Sequence, residues 1–200
     1  MNRTYLHTFL VIWGLLGLLY VFLGSHTLMH TIQDSRVGWM DRAMLIWTKG
    51  GEVYAAVIFF GLLWSMHRGQ ESWKPVRNGF LAIVLLAVVL PQGLKSIFAD
   101  YPRPWKVFPD VHDIPGLTKS FFKSFPSGHT AFATALTAGW ARMARPTYQY
   151  PIGMVLLATG VGYSRIHLHM HWLHDVLAGG ILGLGCAYLG LRLTGFRETH

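Results

Sequence analysis

Six long apolar segments recur along the chain, and they constrain its fold more than any other feature of the sequence. The segments are residues 5–24, 43–66, 78–98, 127–144, 151–166 and 172–193. Each is at or near the roughly 20 residues that an α-helix needs to cross about 30 Å of hydrocarbon. The runs are continuous rather than alternating, and backbone groups in lipid must be hydrogen-bonded within the segment, which favours helices over strands. We therefore predict an all-α fold, a bundle of six transmembrane helices that forms a single domain over residues 1–200.

The composition agrees with a membrane protein and argues against a nucleic-acid partner. Charged residues make up 13% of the chain, against about one-quarter in ordinary soluble domains, and the mean hydropathy is +0.35. Lys and Arg number 17 against 9 Asp and Glu, but they lie between the apolar runs rather than on one soluble basic face. This pattern fits positive loops at a membrane surface, or groups that hold an anionic substrate.

The arrangement of loops and basic residues predicts a location and an orientation. The first apolar segment has the length of a spanning helix rather than of a signal-peptide core, so we expect it to be retained. The lysines and arginines divide almost evenly between the two membrane sides. When Lys95, Arg103 and Arg165 are set aside as groups that could bind an anion, more of the rest lie on the side of the termini, which favours cytoplasmic termini. We predict an integral membrane protein with cytoplasmic termini, in which the long polar connection over residues 99–126 lies outside the cytoplasm.

Two residue types in the last apolar segment narrow the structural options. Gly179 and Gly183 are four residues apart, a spacing that permits close contact with a neighbouring helix in a membrane. The single cysteine, Cys186, can form neither an intrachain disulfide nor a thiolate zinc cage.

Residues 164–175 form the first of three polar stretches that lie at the ends of apolar segments. His171 and Asp175 are four residues apart, so on a helix they would share a face and could hydrogen-bond. A carboxylate on one imidazole nitrogen fixes the tautomer and makes the other nitrogen a better nucleophile. Arg165 lies six residues upstream, and its planar guanidinium matches the geometry of phosphate oxygens. Taken alone, the His–Asp pair could equally be a capping or loop pair.

The second polar stretch, Pro126-Ser127-Gly128-His129, is typical of a helix start. Ser is a favoured N-cap, and a helix N-terminus offers free N–H groups and a positive dipole end that bind phosphate. His129 would lie in the first turn, where it could protonate a leaving oxygen. An ordinary helix cap is the competing interpretation.

The third polar stretch contains Lys95 at the end of an apolar segment and Arg103 between two prolines. The prolines stiffen the loop and limit the directions in which the Arg side chain can point. The competing interpretation is that both are interfacial basic residues of the kind that extend from helix ends toward water.

Together the three stretches resemble the type 2 phosphatidic acid phosphatase superfamily, whose pattern is Lys…Arg-Pro, Pro-Ser-Gly-His and Ser-Arg-x5-His-x3-Asp. The last element matches in full, at Ser164, Arg165, His171 and Asp175. The resemblance covers about residues 95–175 by motif and the whole chain by the number of apolar segments. One departure concerns Lys95 and Arg103, which are separated by seven residues where the family usually has six. The extra residue falls near residues 99–102, in a loop.

The resemblance implies a two-step phosphoryl transfer that needs no metal and no cofactor. His171 would attack phosphorus and form a phosphohistidine while Asp175 orients its imidazole. His129 would act as general acid on the leaving group and then as base for water. The residues that would hold the phosphate oxygens are Lys95, Arg103, Ser127, Gly128 and Arg165. The implied partner is a lipid phosphate in the bilayer, such as undecaprenyl diphosphate, phosphatidylglycerol phosphate or phosphatidic acid.

Several alternatives remain open on the sequence. A lipid-to-lipid phosphotransferase, a non-catalytic transporter or binding protein for anionic lipids, and a haloperoxidase-like vanadate site would share these residues. The dense group of His167, His169, His171 and His174 could also hold a metal ion. Glu52, next to Gly50-Gly51, is expected to be a helix-end residue rather than a part of the mechanism.

Overall fold

A computed structural model of the protein describes residues 1–108, 111 and 113–196. These residues form helices and no strand, which confirms the all-α prediction for this part of the chain. The α-helices are α1 (Arg3–Asp34), α2 (Gly38–Trp47), α3 (Val53–His67), α4 (Trp73–Ile97), α5 (Pro104–Val107), α6 (Gly128–Met143), α7 (Pro151–His167) and α8 (Leu173–Leu193). Short 3₁₀ turns cover Thr48–Gly51 and Pro146–Tyr148.

Three helices in this part of the chain, α1, α4 and α8, are long and apolar enough to cross a membrane. Helices α2 and α3 reach that length only together, and they are bent by 58° at the break between them. Helices α6 and α7 have 16 and 17 residues, so each is about 25 Å long at 1.5 Å per residue. By length and composition, the described residues therefore hold three candidate spans, or four if the bent pair is one span, rather than the six predicted.

The predicted continuous helix over residues 43–66 is wrong in its middle, where the chain forms the 3₁₀ turn Thr48–Gly51. The physical reason is close packing at two glycines. A Cβ atom on Gly51 would lie 2.7 Å from the carbonyl oxygen of His129, and one on Gly50 would lie 3.1 Å from Val161. The 3₁₀ turn is therefore packed closely between α6 and α7.

Helix α1 also differs from a single straight segment, because it breaks at Gly24. That residue has φ 70° and ψ 163°, a conformation that is essentially restricted to glycine. The part after the break continues to Asp34, where Met29 and Ile32 pack against Trp172 and neighbouring residues of α8. The C-terminal end of α1 therefore covers the start of α8.

Helix α6 lies at the centre of the bundle and is buried along nearly its whole length. Its closest neighbour is α8, which approaches through glycines as the Gly179–Gly183 spacing predicts. A Cβ on Gly179 would lie 2.5 Å from the carbonyl oxygen of Ser127, and one on Gly183 would collide with the carbonyl oxygen of Ala131. This packing fixes the position of the first turn of α6 against the first turns of α8.

The polar stretches all meet at one end of the bundle. Helices α3, α6 and α8 begin at this end, and α4 and α7 finish there. The long connection between α4 and α6 folds back over it, and the indole N–H of Trp105 donates to the carbonyl oxygen of Leu168 at 2.9 Å. The fold thereby brings residues that are distant in sequence to a common site.

Candidate active site

His171 lies in a tight turn between α7 and α8 rather than within a helix. The backbone N–H groups of Met170 and His171 both donate to the carbonyl oxygen of Arg165, at 3.0 and 3.2 Å. His169 adopts a left-handed backbone conformation, with φ 55°, so that the chain can reverse here. The turn folds His171 back beside the end of α7, and its side chain is 99% buried.

The contact between His171 and Asp175 differs from the helical pairing expected of a four-residue spacing. Asp175 is in the first turn of α8, whereas His171 precedes that helix, and Nδ1 of His171 lies 3.5 Å from Oδ2 of Asp175. The same Oδ2 accepts hydrogen bonds from the Ser124 hydroxyl at 2.5 Å and from the Trp172 N–H at 2.9 Å. Asp175 therefore caps the start of α8 and faces His171 at the same time, so both interpretations of the pair describe part of its geometry.

Arg103 faces the other nitrogen of the His171 ring. Its Nη1 lies 3.4 Å from Nε2 of His171 and donates to the carbonyl oxygen of Met170 at 2.9 Å. Nε and Nη2 donate to the carbonyl oxygens of Phe122 at 2.7 Å and Lys123 at 3.2 Å. These backbone acceptors hold the guanidinium in one orientation, with an edge directed at Nε2 of His171.

The surroundings of His171 keep its imidazole neutral. Burial lowers the pKa of His171 well below its ordinary value, and the positive charges of Arg103, Arg165 and Lys95 lower it further. A neutral imidazole with Nδ1 facing a carboxylate leaves the Nε2 lone pair available for attack. The electrostatics of the site therefore favour the nucleophilic form of this residue.

The start of α6 has the predicted N-cap, and its serine is turned into the protein. Ser127 accepts a hydrogen bond from the Thr130 N–H at 3.4 Å, and its hydroxyl is paired with that of Thr130 at 2.8 Å. Its backbone N–H donates to the carbonyl oxygen of Asp175 at 3.0 Å, which ties the start of α6 to α8. His129 follows in the first turn of α6.

Lys95 reaches this helix start despite the extra residue between it and Arg103. It lies in the last turn of α4, and a Cβ added to Gly128 would be 3.6 Å from its Nζ. The turn at residues 98–100 accommodates the additional residue. The ammonium therefore lies over Gly128, at the N-terminal end of α6.

Arg165, in the last turn of α7, is 95% buried, and its Nη1 donates to the hydroxyl of Thr48 at 2.8 Å. Its Nε has no hydrogen-bond partner among the described residues, although it is buried. A buried guanidinium N–H without an acceptor is costly, and an anion in the site would supply that acceptor.

Three contacts of the site were not expected from the sequence. Ser124 binds Asp175, Thr48 binds Arg165, and Oε1 of Glu52 lies 3.8 Å from Nε2 of His129. Glu52 is at the N-terminus of α3, as predicted, but it also faces the site. Ser124 is two residues from a motif, whereas a lone threonine in an apolar segment carries no signal of its own.

The histidines that could have formed a metal site contact different groups, except that His171 and His174 both face Asp175. Nε2 of His167 lies 2.8 Å from Asp41, and Nδ1 of His169 lies 3.1 Å from the carbonyl oxygen of His167. His174 lies between the hydroxyls of Ser25 at 3.0 Å and Tyr101 at 3.1 Å, and its Nε2 is also 3.3 Å from Oδ1 of Asp175. Within residues 1–108, 111 and 113–196, no three His, Cys, Asp or Glu side chains converge as metal ligands.

Comparison with known proteins identifies the family of the chain. The family model described as "PAP2 superfamily" matches residues 78–198. An undecaprenyl-diphosphatase of Sulfolobus acidocaldarius is 24% identical over 81% of this chain and 74% of its own. The crystal structure of Aquifex aeolicus LpxE has a TM-score of 0.69 and 26% identity, over 84% of this chain and 94% of that one.

A second solved structure is similar in fold over nearly the full length. It is a PAP2-type phosphatidylglycerolphosphate phosphatase of Bacillus subtilis, with a TM-score of 0.56 and 23% identity, covering 98% of this chain and 97% of that one. The family model spans more than half of the chain and includes all three polar stretches. The chain therefore belongs to the PAP2 superfamily, as an integral membrane phosphoric ester hydrolase.

Proposed function

We propose that this protein is a metal-independent lipid phosphatase in which His171 is the nucleophile. The observation that carries the proposal is the position of His171, a buried neutral imidazole with Asp175 3.5 Å from Nδ1 and Arg103 3.4 Å from Nε2. A phosphoryl group that approaches Nε2 would meet the Arg103 guanidinium at the same point. Positioning and electrostatic stabilisation of this kind supply most of the catalysis in phosphoryl transfer.

The reaction proceeds in two steps. Nε2 of His171 attacks phosphorus, the P–O bond to the lipid breaks, and the proton of protonated His129 passes to the departing oxygen. Water then attacks the phosphohistidine while neutral His129 accepts its proton, the P–N bond breaks, and phosphate leaves. Asp175 supports the positive charge that develops on the His171 ring.

The phosphate oxygens are held by the basic groups around His171. Arg103, Arg165 and Lys95 provide positive charge, and the N-terminus of α6 at Gly128 provides backbone N–H groups. Ser127 contributes by fixing the start of α6, because its hydroxyl is engaged with Thr130. A serine hydroxyl that binds phosphate directly would first have to leave this pair.

An apolar cavity suits the lipid part of the substrate. It has a volume of about 270 Å³ and ends at Lys95, Gly128 and His129. Its apolar wall consists of Val53, Val84, Ala87, Val88, Pro91 and Phe132. Val53 and Val88 are also exposed on the outside of the bundle, so the cavity adjoins the surface that lipid would cover. An alkyl chain there would place its head group beside His129.

The proposed membrane arrangement has six crossings in one domain, in which α2 and α3 together form the second and the shorter α6 and α7 form the fourth and fifth. The buried centre occupied by α6 allows a helix of 16 residues, because neighbouring helices rather than lipid surround it. We place the termini in the cytoplasm and the site on the outer side of a bacterial inner membrane.

The test is phosphate release by the detergent-purified protein from a panel of lipids in the presence of EDTA. Undecaprenyl diphosphate, phosphatidylglycerol phosphate and phosphatidic acid form the panel. We expect activity that persists in EDTA and falls by at least about 1,000-fold in His171→Ala and His129→Ala. Strict dependence on an added metal would overturn the mechanism.

Trapping separates covalent catalysis from direct attack by water. Brief incubation with ³²P-labelled lipid phosphate, followed by alkaline quenching, should leave acid-labile label on the wild type and none on His171→Ala. Label that passes to a second lipid instead of water would assign the protein as a phosphotransferase.

A further inference from the structure

Glu52 occupies a helix-capping position without capping its helix. It precedes α3 as the N-cap residue, a position where Ser, Thr, Asp and Asn are preferred, and its side chain makes no hydrogen bond to the helix. The carboxylate instead extends toward the first turn of α6, where Oε1 lies 3.8 Å from Nε2 of His129. Helix propensity alone does not explain a glutamate here.

The chain around Glu52 is fixed by contacts on both sides. Thr48, at the start of the 3₁₀ turn, accepts a hydrogen bond from Arg165 at 2.8 Å. At the end of the turn Gly51 lies against the backbone of His129, where a Cβ would come within 2.7 Å of the carbonyl oxygen. The carboxylate is therefore carried by a turn in direct contact with the residue it faces.

The positive charges around His129 disfavour its protonated form, and a nearby carboxylate opposes that effect. Five charged or titratable groups face His129. They are Glu52 before α3, Lys95 in α4, Arg103 before α5, Arg165 in α7 and His171 before α8. The lysine and both arginines oppose a further positive charge on the imidazole. Asp175, the other carboxylate of the site, has its Oδ2 engaged by Ser124 and Trp172.

We propose that Glu52 is a positioning residue that holds His129 in its protonated, proton-donating form, an inference that rests on the proposed phosphatase activity. The 3.8 Å separation exceeds hydrogen-bond length, so the carboxylate supports the imidazolium without taking its proton. When the P–O bond breaks, the proton of His129 moves to the departing oxygen and Glu52 remains ionised. After the step the imidazole is neutral and can accept the proton of the attacking water.

The Glu52 carboxylate also affects which leaving groups the enzyme favours. When a phosphomonoester is cleaved, the lipid alcohol is the leaving group, and its strongly basic alkoxide oxygen needs the proton that Glu52 helps to keep on His129. When the terminal phosphoryl group of a lipid diphosphate is transferred, the leaving group is the lipid monophosphate anion, which needs that proton less and is repelled by the adjacent carboxylate. Glu52 therefore favours monoesters of lipid alcohols over lipid diphosphates.

The test measures kcat/KM of Glu52→Gln for three phosphates with different leaving groups. For dioctanoyl phosphatidic acid we expect a loss of about ten-fold, and for p-nitrophenyl phosphate, whose phenolate leaves without protonation, less than about three-fold. For a short-chain prenyl diphosphate we expect no loss or a gain. A purely structural role of Glu52 would lower all three values together.

The matched control is Glu71→Gln, which removes the exposed carboxylate between α3 and α4, at the opposite end of the bundle. It should leave all three values unchanged. Equal losses for the three substrates in Glu52→Gln, or none, would overturn the inference while the EDTA-resistant activity of the wild type stands. Absence of that wild-type activity, or its survival in His171→Ala, would instead overturn the proposed function.

Discussion

At the scale of single residues, Arg103 illustrates how the site is built from the backbone. Three carbonyl oxygens, of Phe122, Met170 and Lys123, accept from its guanidinium and set its orientation. A lysine has one terminal nitrogen and no planar fork, so it cannot bind these acceptors and a phosphate together. The charge alone is therefore insufficient at this position.

We predict that Arg103→Lys lowers kcat/KM for a lipid phosphate by at least about 100-fold, because one preorganised donor to the transferred phosphoryl group is lost. The matched control is Arg42→Lys, which makes the same change at an exposed position of α2 and should leave kcat/KM unchanged. Comparable activity of the two variants would contradict this role of Arg103.

His169 makes the stability of the turn before α8 depend on pH. It is fully buried, and burial lowers its pKa to about 4 from the ordinary value of 6.5. The unfolded chain therefore binds a proton at higher pH than the folded chain does, so stability falls as the pH drops from about 6.5 to about 4. A shift of this size corresponds to about 3 kcal/mol at most.

We predict that His169→Asn flattens the acid side of the stability profile. Asparagine tolerates the left-handed conformation of this residue and does not titrate. The thermal midpoint in detergent should fall less between pH 7 and pH 4.5 than in the wild type. His7→Asn, at an exposed position of α1, should reproduce the wild-type profile; an unchanged slope in His169→Asn would exclude this residue as the source.

Motif spacing predicts which residues come together, but not how they are held. His171 and Asp175 are found from their spacing, yet their contact depends on a turn that the pattern does not specify. The Ser124 hydroxyl and the Thr48 hydroxyl reach their partners across long stretches of chain. Such contacts depend on tertiary packing, for which a single serine or threonine gives no periodic signal.

At the scale of elements, glycines decide how closely the helices approach. In α8, Gly183 faces the backbone of α6, where a Cβ would collide with the Ala131 carbonyl oxygen, whereas Gly185 has nothing within 4 Å of its Cβ position. Two glycines of one helix thus have opposite environments. They form an internal pair for testing the importance of this contact.

We predict that Gly183→Ala destabilises the protein by about 1–3 kcal/mol, because the backbone of α6 must move to admit the methyl group. Gly185→Ala should not destabilise it, since alanine is the better helix former and has space. Thermal unfolding in the same detergent measures both. A midpoint for Gly183→Ala at or above that of Gly185→Ala would show that the two helices are not in this close contact.

Hydropathy locates most helices within a few residues of where the structure has them, as for α4, α6, α7 and α8. It ends the first segment at Gly24, where α1 has its break, but it joins residues 43–66 into one helix across the 3₁₀ turn Thr48–Gly51, because the apolar residues on both sides outweigh the short polar turn. The turn forms where glycines allow α6 and α7 to approach. Hydropathy measures how favourably each residue transfers into lipid, so it does not report how closely two helices pack against a glycine.

At the scale of the whole molecule, the one native cysteine allows a direct test of orientation. Cys186 is fully buried, so it should not react with a membrane-impermeant maleimide in the folded protein. Exposed residues at the two ends of the bundle are Glu71, between α3 and α4, and Thr118, in the loop that covers the site. A cysteine at either position would report one side of the membrane.

We predict that Thr118→Cys is labelled by such a maleimide in intact cells, whereas Glu71→Cys is labelled only after the membrane is permeabilised. This is the outcome for cytoplasmic termini and an outward-facing site. The reverse pattern would place the site in the cytoplasm. Labelling of the wild type would show that Cys186 becomes accessible and would invalidate the assay.

The crowding of Lys95, Arg103 and Arg165 around one buried imidazole has a thermodynamic consequence for the empty enzyme. An oxyanion that binds among these groups relieves their mutual repulsion. Because it binds only the folded protein, it raises the free energy of unfolding. Orthovanadate should therefore raise the thermal midpoint of the wild type, and much less that of Arg103→Lys. The substrate of this enzyme would then also act as its stabiliser, and a cell depleted of that lipid would hold a more fragile form of the protein.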